Sequence, residues 1–158
     1  MAGSTVKTVV ALIALYYSYK AVCYLWTKDT KNQSRRRAPL PYRKYTKREL
    51  SQFTGENNTP VLIGLAGKVY DVSAGRGFYG PGGPYNLFAG RDASRLLATQ
   101  SFDEGITEEE LDAPIDKLEG LTEDDLEQMD AYIGLFNVKY LCVGELVEPT
   151  AADLAVKE

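Results

Sequence analysis

GKVYDVSAGRGFYGPGGPYNLFAGRDASRLLA, residues Gly67 to Ala98, carries more structural information than any other part of this 158-residue chain. It leaves a strand pair, crosses a Gly/Pro loop bounded by Tyr79 and Tyr85, and enters a short amphipathic segment. Pro81 and Pro84 fix two φ angles, whereas Gly80, Gly82 and Gly83 permit turns that other residues resist. The two rings are thereby presented from a constrained backbone, as a wall that suits a flat aromatic ligand. The plainer reading is a turn whose tyrosines pack in a core. The chain holds 11 tyrosines and no histidine. Metal or haem chemistry must therefore use oxygen or sulfur donors, and haem iron accepts a tyrosinate.

Upstream, Val61 to Ala66 and Val69 to Val72 read as two strands joined at Gly67-Lys68, a hairpin signal. Thr46 and Glu49 have capping-box spacing and open a short helix through Phe53. Residues 74–86 are too rich in Gly and Pro for regular structure. Asn86 to Thr99 reads as helix interrupted by Gly90, with Asp92 capping the part beyond the interruption. Thr107 with Glu110, and Thr122 with Asp125, mark two further helix starts. The second runs to about Asn137, with Leu126, Met129, Ile133 and Phe136 at near-helical spacing. Tyr140 to Leu146 closes the pattern as a strand. Helices grouped between a hairpin and a late strand make a small α+β domain over residues 45–148, followed by a disordered tail at 149–158.

The first 26 residues form a separate region. Thr8 to Trp26 reads TVVALIALYYSYKAVCYLW, which as a helix extends roughly 28 Å, close to the hydrocarbon thickness of a bilayer. Tyr16, Tyr17, Tyr19, Tyr24 and Trp26 crowd its second half, as expected at a headgroup region. A signal peptide and a peripheral amphipathic helix are the rival readings, but no A-x-A-like cleavage site follows the apolar run. The expectation is an uncleaved single transmembrane helix over residues 8–26. A basic linker at 27–44 follows, and positive charge beside a span keeps the domain on the cytosolic side.

Charge is polarised. Nine of the 18 Lys and Arg lie between Lys28 and Arg48, and thirteen of the 22 Asp and Glu lie between Asp103 and Asp130. The formal net charge of −4 argues against a nucleic-acid partner. The basic run suits a topology signal and an anionic lipid surface. The acidic run reads as a solvated helical face that could also dock basic surfaces on redox partners. Cys23 lies in the apolar segment and Cys142 in the late strand, so no disulfide framework is expected. The arginines of Arg91-Asp92-Ala93-Ser94-Arg95 are expected to pair with acids such as Asp71. No hydrolase triad, phosphate-binding loop or zinc spacing is present.

Asp71-Val72-Ser73, the loop Tyr79-Gly80-Pro81-Gly82-Gly83-Pro84-Tyr85, and Phe88 to Arg95 closely resemble the membrane-associated progesterone receptor family. That family is a branch of the cytochrome b5-like haem/steroid-binding domain. The resemblance runs from about Tyr45 to Val147, includes Asn137-Val138-Lys139-Tyr140, and is strongest to the fungal damage-response haem proteins. It implies a cytochrome b5-like fold and a haem b pocket lined by Tyr79, Tyr85, Lys139 and Tyr140, with Tyr85 as the iron ligand. Tyr140 competes for that role. Cys142, two residues further on one strand face, is a remoter candidate. Cytochrome b5 itself clamps iron between two histidines, the first in a His-Pro-Gly-Gly turn. Here Pro81-Gly82-Gly83 is preceded by Gly80, so only single-sided ligation is open.

The resemblance further implies a non-enzymatic protein of the endoplasmic reticulum membrane that binds and supports cytochrome P-450 enzymes in sterol biosynthesis and damage or drug resistance. A sterol- or lipid-binding module, and a haem chaperone, are the alternatives. One-sided ligation also leaves a haem face available for stacking into a homodimer.

Overall fold

The computed structural model describes residues 16–21, 24, 39–102 and 107–150. The chain divides into two units, residues 1–37 and 38–158. In the first, Tyr16 to Ala21 and Tyr24 are helical, and the Lys20 ammonium lies 5.5 Å from the centre of the Tyr16 ring. The expected span at 8–26 falls mostly outside the described residues, as do most of the linker and residues 151–158 of the tail. Among the described residues, no helix is long and apolar enough to cross a membrane.

The second unit is built on a four-stranded sheet of β1 (Arg43–Tyr45), β2 (Leu62–Leu65), β3 (Lys68–Asp71) and β4 (Leu141–Leu146), in the order β1-β4-β3-β2. β1 runs parallel to β4, and the other pairs are antiparallel. The expected linker therefore ends earlier than residue 44. Arg43 and Lys44 pair with Gly144 and Glu145, because the Tyr45 ring is buried against the sheet and draws its short strand in. The β2–β3 turn is Ala66-Gly67, one residue earlier than expected, and both residues have positive φ (50° and 74°), as a two-residue hairpin requires. The Ala66 N–H donates to the Ser94 hydroxyl at 2.9 Å, tying this turn to the segment that follows the tyrosine loop.

Strand alternation sorts the core into two clusters, one on each face of the sheet. Ile63, Leu65, Tyr70 and Cys142 face the first, with Phe88, Leu97, Met129 and Phe136 packed over them. Leu62, Val69, Val143 and Leu146 face the second, with Tyr45 and Leu50. Val143 and Leu146 have opposite parity yet share a face. The cause is a bulge: Val69 pairs with Gly144 and Tyr70 with Cys142, which leaves Val143 without a β3 partner. Gly144 then points at Tyr45. A β-carbon there would lie 2.7 Å from the Tyr45 ring and would overlap the Arg43 carbonyl oxygen.

The helices are α1 (Lys47–Leu50), α2 (Arg76–Tyr79), α3 (Ser94–Ala98), α4 (Glu108–Asp112) and α5 (Glu123–Lys139). Capping boxes at Thr46/Glu49 and Thr122/Asp125 start α1 and α5 as expected, and the Thr107 hydroxyl accepts from the Glu110 N–H at the start of α4. α5 continues to Lys139, two residues past the expected end; it buries Met129 and Phe136, but Leu126 is exposed. Between Asn86 and Thr99 only Ser94–Ala98 is α-helical. Residues 90–93 instead run along the free edge of β2, where Gly64 donates to the Arg91 carbonyl and accepts from the Ala93 N–H, each at 2.9 Å. Asp92 is not the helix cap expected of it: Ala93 holds the N-cap position, and Asp92, one residue earlier, accepts from the Ser94 N–H at 3.1 Å.

The acidic segment around α4 is pinned to the domain by cations. Arg48 bonds Glu108 at 3.1 Å and Asp112 at 2.8 Å, Arg95 bonds Asp116 at 2.8 Å, and buried Arg91 bonds Glu110 at 3.0 Å. The Lys47 ammonium donates to the Pro114 carbonyl at 3.1 Å. The Arg95 guanidinium holds the Asp116 carboxyl below the usual carboxylate range. The expected pairing of arginines with Asp71 does not form, because Asp71 is committed to the Ser73 N–H at 2.9 Å.

Gly144→Ala is expected to lower the stability of the domain by about 1–3 kcal/mol through overpacking at the β1–β4 contact. The shift in the urea midpoint at constant slope measures it.

Candidate functional site

The segment carrying the tyrosines is more regular than its composition suggests. The Asp71 carboxylate accepts from the Ser73 N–H, residues 73–75 form one 3-10 turn, and α2 continues to Tyr79. Arg76 fastens this helix by donating to the carbonyls of Gly55 and Thr59. The expectation of an irregular 74–86 thus holds only from Gly80, because the Asp71–Ser73 bond and the Arg76 clamp stabilise the preceding helical turns.

At the loop itself, a β-carbon on Gly83 would lie 2.6 Å from the Phe78 carbonyl carbon and would overlap its oxygen. That approach requires glycine. It allows the Tyr85 N–H to donate to the Phe78 carbonyl at 2.9 Å, which folds Tyr85 back beside Tyr79. Their ring centres lie 6.2 Å apart. Tyr140, at the junction of α5 and β4, brings its ring to 6.1 Å from Tyr79 and 5.2 Å from Phe136. Three of the four expected site residues therefore meet around Tyr79. Lys139, the fourth, ends α5 with an exposed side chain and makes no hydrogen bond or ion pair among the described residues.

The tyrosines differ in environment. Tyr79 is half-buried, and burial pushes its hydroxyl well above the usual phenol range, with Tyr140, Tyr132 and Tyr85 adding to the effect. It therefore stays a neutral O–H group at neutral pH. Tyr85 forms the open edge of the cluster, 44% exposed, stacked on Phe88 at 6.2 Å and flanked by Phe102 at 6.5 Å. Cys142 is half-buried against the same core, with its thiol 3.6 Å from the Gly144 carbonyl, in the position of a small hydrophobe. Sequence reasoning missed Phe88, Phe102 and Phe136 as neighbours of the tyrosines. The helical spacing of Phe136 could have revealed it, whereas Phe102 depends on a turn with no compositional signal.

The wall can accept a flat, largely apolar molecule and offers it phenol oxygens. An open groove lined by Thr54, Glu56, Pro81, Asn86, Leu87 and Ala89 also involves the loop, but no tyrosine lines it. Among the described residues, no group of three or more Cys, Asp or Glu is placed to hold a metal ion.

Residues 46–147 match the family model described as Cytochrome b5-like Heme/Steroid binding domain. The chain is 38% identical over 114 residues to a Schizosaccharomyces pombe protein named cytochrome P450 regulator dap1, covering 72% of this chain and 69% of that protein. It is 40% identical over 107 residues to human membrane-associated progesterone receptor component 2, covering 68% of this chain and 46% of that protein. The chain thus spans less than half the length of the human relative. Among solved structures, a putative steroid-binding protein from Arabidopsis superposes with a TM-score of 0.54 at 39% identity, covering 66% of this chain and 97% of that one.

The raised Tyr79 ionisation has a consequence for alkaline stability. Its contribution is fully present below the ordinary phenol value of about 10 and is lost as pH rises beyond it. Melting temperature should fall between about pH 9 and 11 less steeply in Tyr79→Phe than in the parent, as followed by circular dichroism.

Proposed function

Because the chain belongs to the cytochrome b5-like haem/steroid-binding domain family, we propose that it is a membrane-anchored haem-binding protein whose iron is held by Tyr85 as tyrosinate. The observation that carries this reading is the convergence of Tyr79, Tyr85 and Tyr140 at one edge of a chain without histidine.

The residues present fit the group. Tyr85 offers an exposed phenol oxygen beside apolar rings. Tyr79, its ring centre 6.2 Å from that of Tyr85, places a second phenol beside the proposed ligand. Tyr140 completes the wall, and exposed Lys139 supplies a cation for an anionic substituent at its rim. Half-exposed Phe78 and Leu141 add apolar surface to this part of the domain. A haem bound through an anionic oxygen donor supplies iron biased toward the ferric state and ill suited to fast electron relay.

That chemistry favours an accessory role over electron transfer, and the relatives are named as a regulator and a receptor component. The proposed partners are cytochrome P-450 enzymes, in line with the printed name of the S. pombe relative. The proposed setting is the cytosolic face of the endoplasmic reticulum membrane, supported by the apolar run at 8–26 and the basic stretch after it. A sterol-binding module is the second reading. It is favoured by the 39% identity to an Arabidopsis protein named probable steroid-binding protein 3, of which the match covers 97%.

The test is to prepare the chain with ample haem and record its oxidised and reduced spectra. A high-spin ferric spectrum is expected. It should be retained in Cys142→Ser and lost in Tyr85→Phe, with haem affinity falling at least about 100-fold. Colourless protein that binds a sterol overturns the haem reading, and failure to co-purify P-450 enzymes from detergent-solubilised membranes overturns the partnership.

A further inference from the structure

Phe102 is an apolar side chain with no core to fill. It is 45% exposed, belongs to neither buried cluster, and its ring contacts among the described residues are with Tyr85 at 6.5 Å and Phe88 at 5.6 Å. Leaving a phenylalanine half in water forfeits much of the free energy its burial offers. Its placement is nevertheless built. After α3, the Ser101 N–H reaches back to the Leu96 carbonyl at 3.0 Å while Gln100 takes a left-handed φ of 53°. This is a Schellman turn, with glutamine at the position that glycine usually fills. A non-glycine residue in that region is disfavoured, so the turn persists only because the surrounding contacts hold it. It reverses the chain and delivers Phe102 onto Tyr85. Beyond Phe102, the chain is anchored again where Arg48, Arg91 and Arg95 bind the acidic segment.

Tyr85 needs such help. Among the described residues no hydrogen bond holds its hydroxyl, so its orientation rests on ring packing against Tyr79, Phe88 and Phe102. Phe88 is a buried core residue and Tyr79 is part of the site itself. The geometry points to Phe102 as a positioning residue, which acts through the Tyr85 ring to aim its phenol oxygen at the haem. This inference rests on the haem reading above. Edge and offset ring contacts of this kind are worth about 0.5–1.5 kcal/mol, which corresponds to a change of roughly 2- to 10-fold.

The experiment compares Phe102→Ala, Phe102→Leu and Phe102→Tyr with the parent in the full-length, haem-loaded protein. Phe102→Ala should speed haem transfer to an acceptor apoprotein by about 2- to 10-fold and shift the phenolate-to-iron charge-transfer band. Phe102→Tyr should restore both because it keeps the ring, whereas Phe102→Leu, with bulk but no ring, should not. Restoration by leucine reduces Phe102 to a space filler and overturns the proposal. So does a band and rate unchanged in Phe102→Ala when Tyr85→Phe bleaches the protein. If Tyr85→Phe keeps its colour, the ligand assignment has failed instead. The Tyr85 ring resonance of the haem-free protein then decides separately: a signal that does not move in Phe102→Ala overturns the positioning contact.

Discussion

The backbone of Gly83 lies so near the Phe78 carbonyl that no side chain fits between them, and the Tyr85 N–H donates to that same carbonyl at 2.9 Å. This contact turns a run of glycines and prolines into a closed loop with a tyrosine at each end. Tyr79 stays on its helix while Tyr85 is folded back beside it. α5 then contributes Phe136, and its C-cap Tyr140, to the other side of Tyr79. With Gly83 displaced, the phenol at the open edge would lose its registration with the buried one. The sheet, the cluster beneath it and the ion-paired segment around α4 chiefly maintain the frame against which this loop closes.

The histidine-free composition gives the arrangement its chemical meaning. Imidazole offers iron a neutral donor at physiological pH, whereas a phenol must give up its proton to become a strong one. The cluster separates two demands that oppose each other. Burial at Tyr79 disfavours charge on its hydroxyl, whereas Tyr85 stands half-exposed at the open edge of the cluster. On the proposed haem reading, the buried phenol would keep its proton and its exposed neighbour would be the ligand.

Much of this was legible in the residues because it is enforced locally. The capping boxes at Thr46/Glu49 and Thr122/Asp125 each involve partners three positions apart, and the hairpin was legible to within one residue, read at Gly67-Lys68 and formed at Ala66-Gly67. β1 was illegible. Three residues carry no periodicity, and Arg43 to Tyr45 become a strand only because β4 is there to receive them. The bulge at Val143 was hidden for a related reason, since Tyr140 to Val143 is an unbroken apolar run in which nothing marks the shift that lets Gly144 meet Tyr45. The charges of Arg91 and Arg95 were evident, but their partners lie 19 and 21 residues further along, beyond the range of any local pattern. Of the site, the tyrosines stood out by their spacing in an unusual loop. Phe102 did not, because its place depends on a left-handed Gln100 that no compositional rule anticipates.

The sheet order also fixes a timetable for the nascent chain. Among the described residues β1 pairs with β4 alone, across about 100 positions. At ribosomal speeds of about 5–20 residues per second, the first strand waits roughly 5–20 s for its partner to be synthesised. During that interval β3 also lacks one neighbour, and the half of the core that Val143 and Leu146 will cover stays open. Such a domain cannot finish folding piecemeal as it emerges. Its sheet closes only when the final strand arrives, and until then the half of the core beside β1 is incomplete.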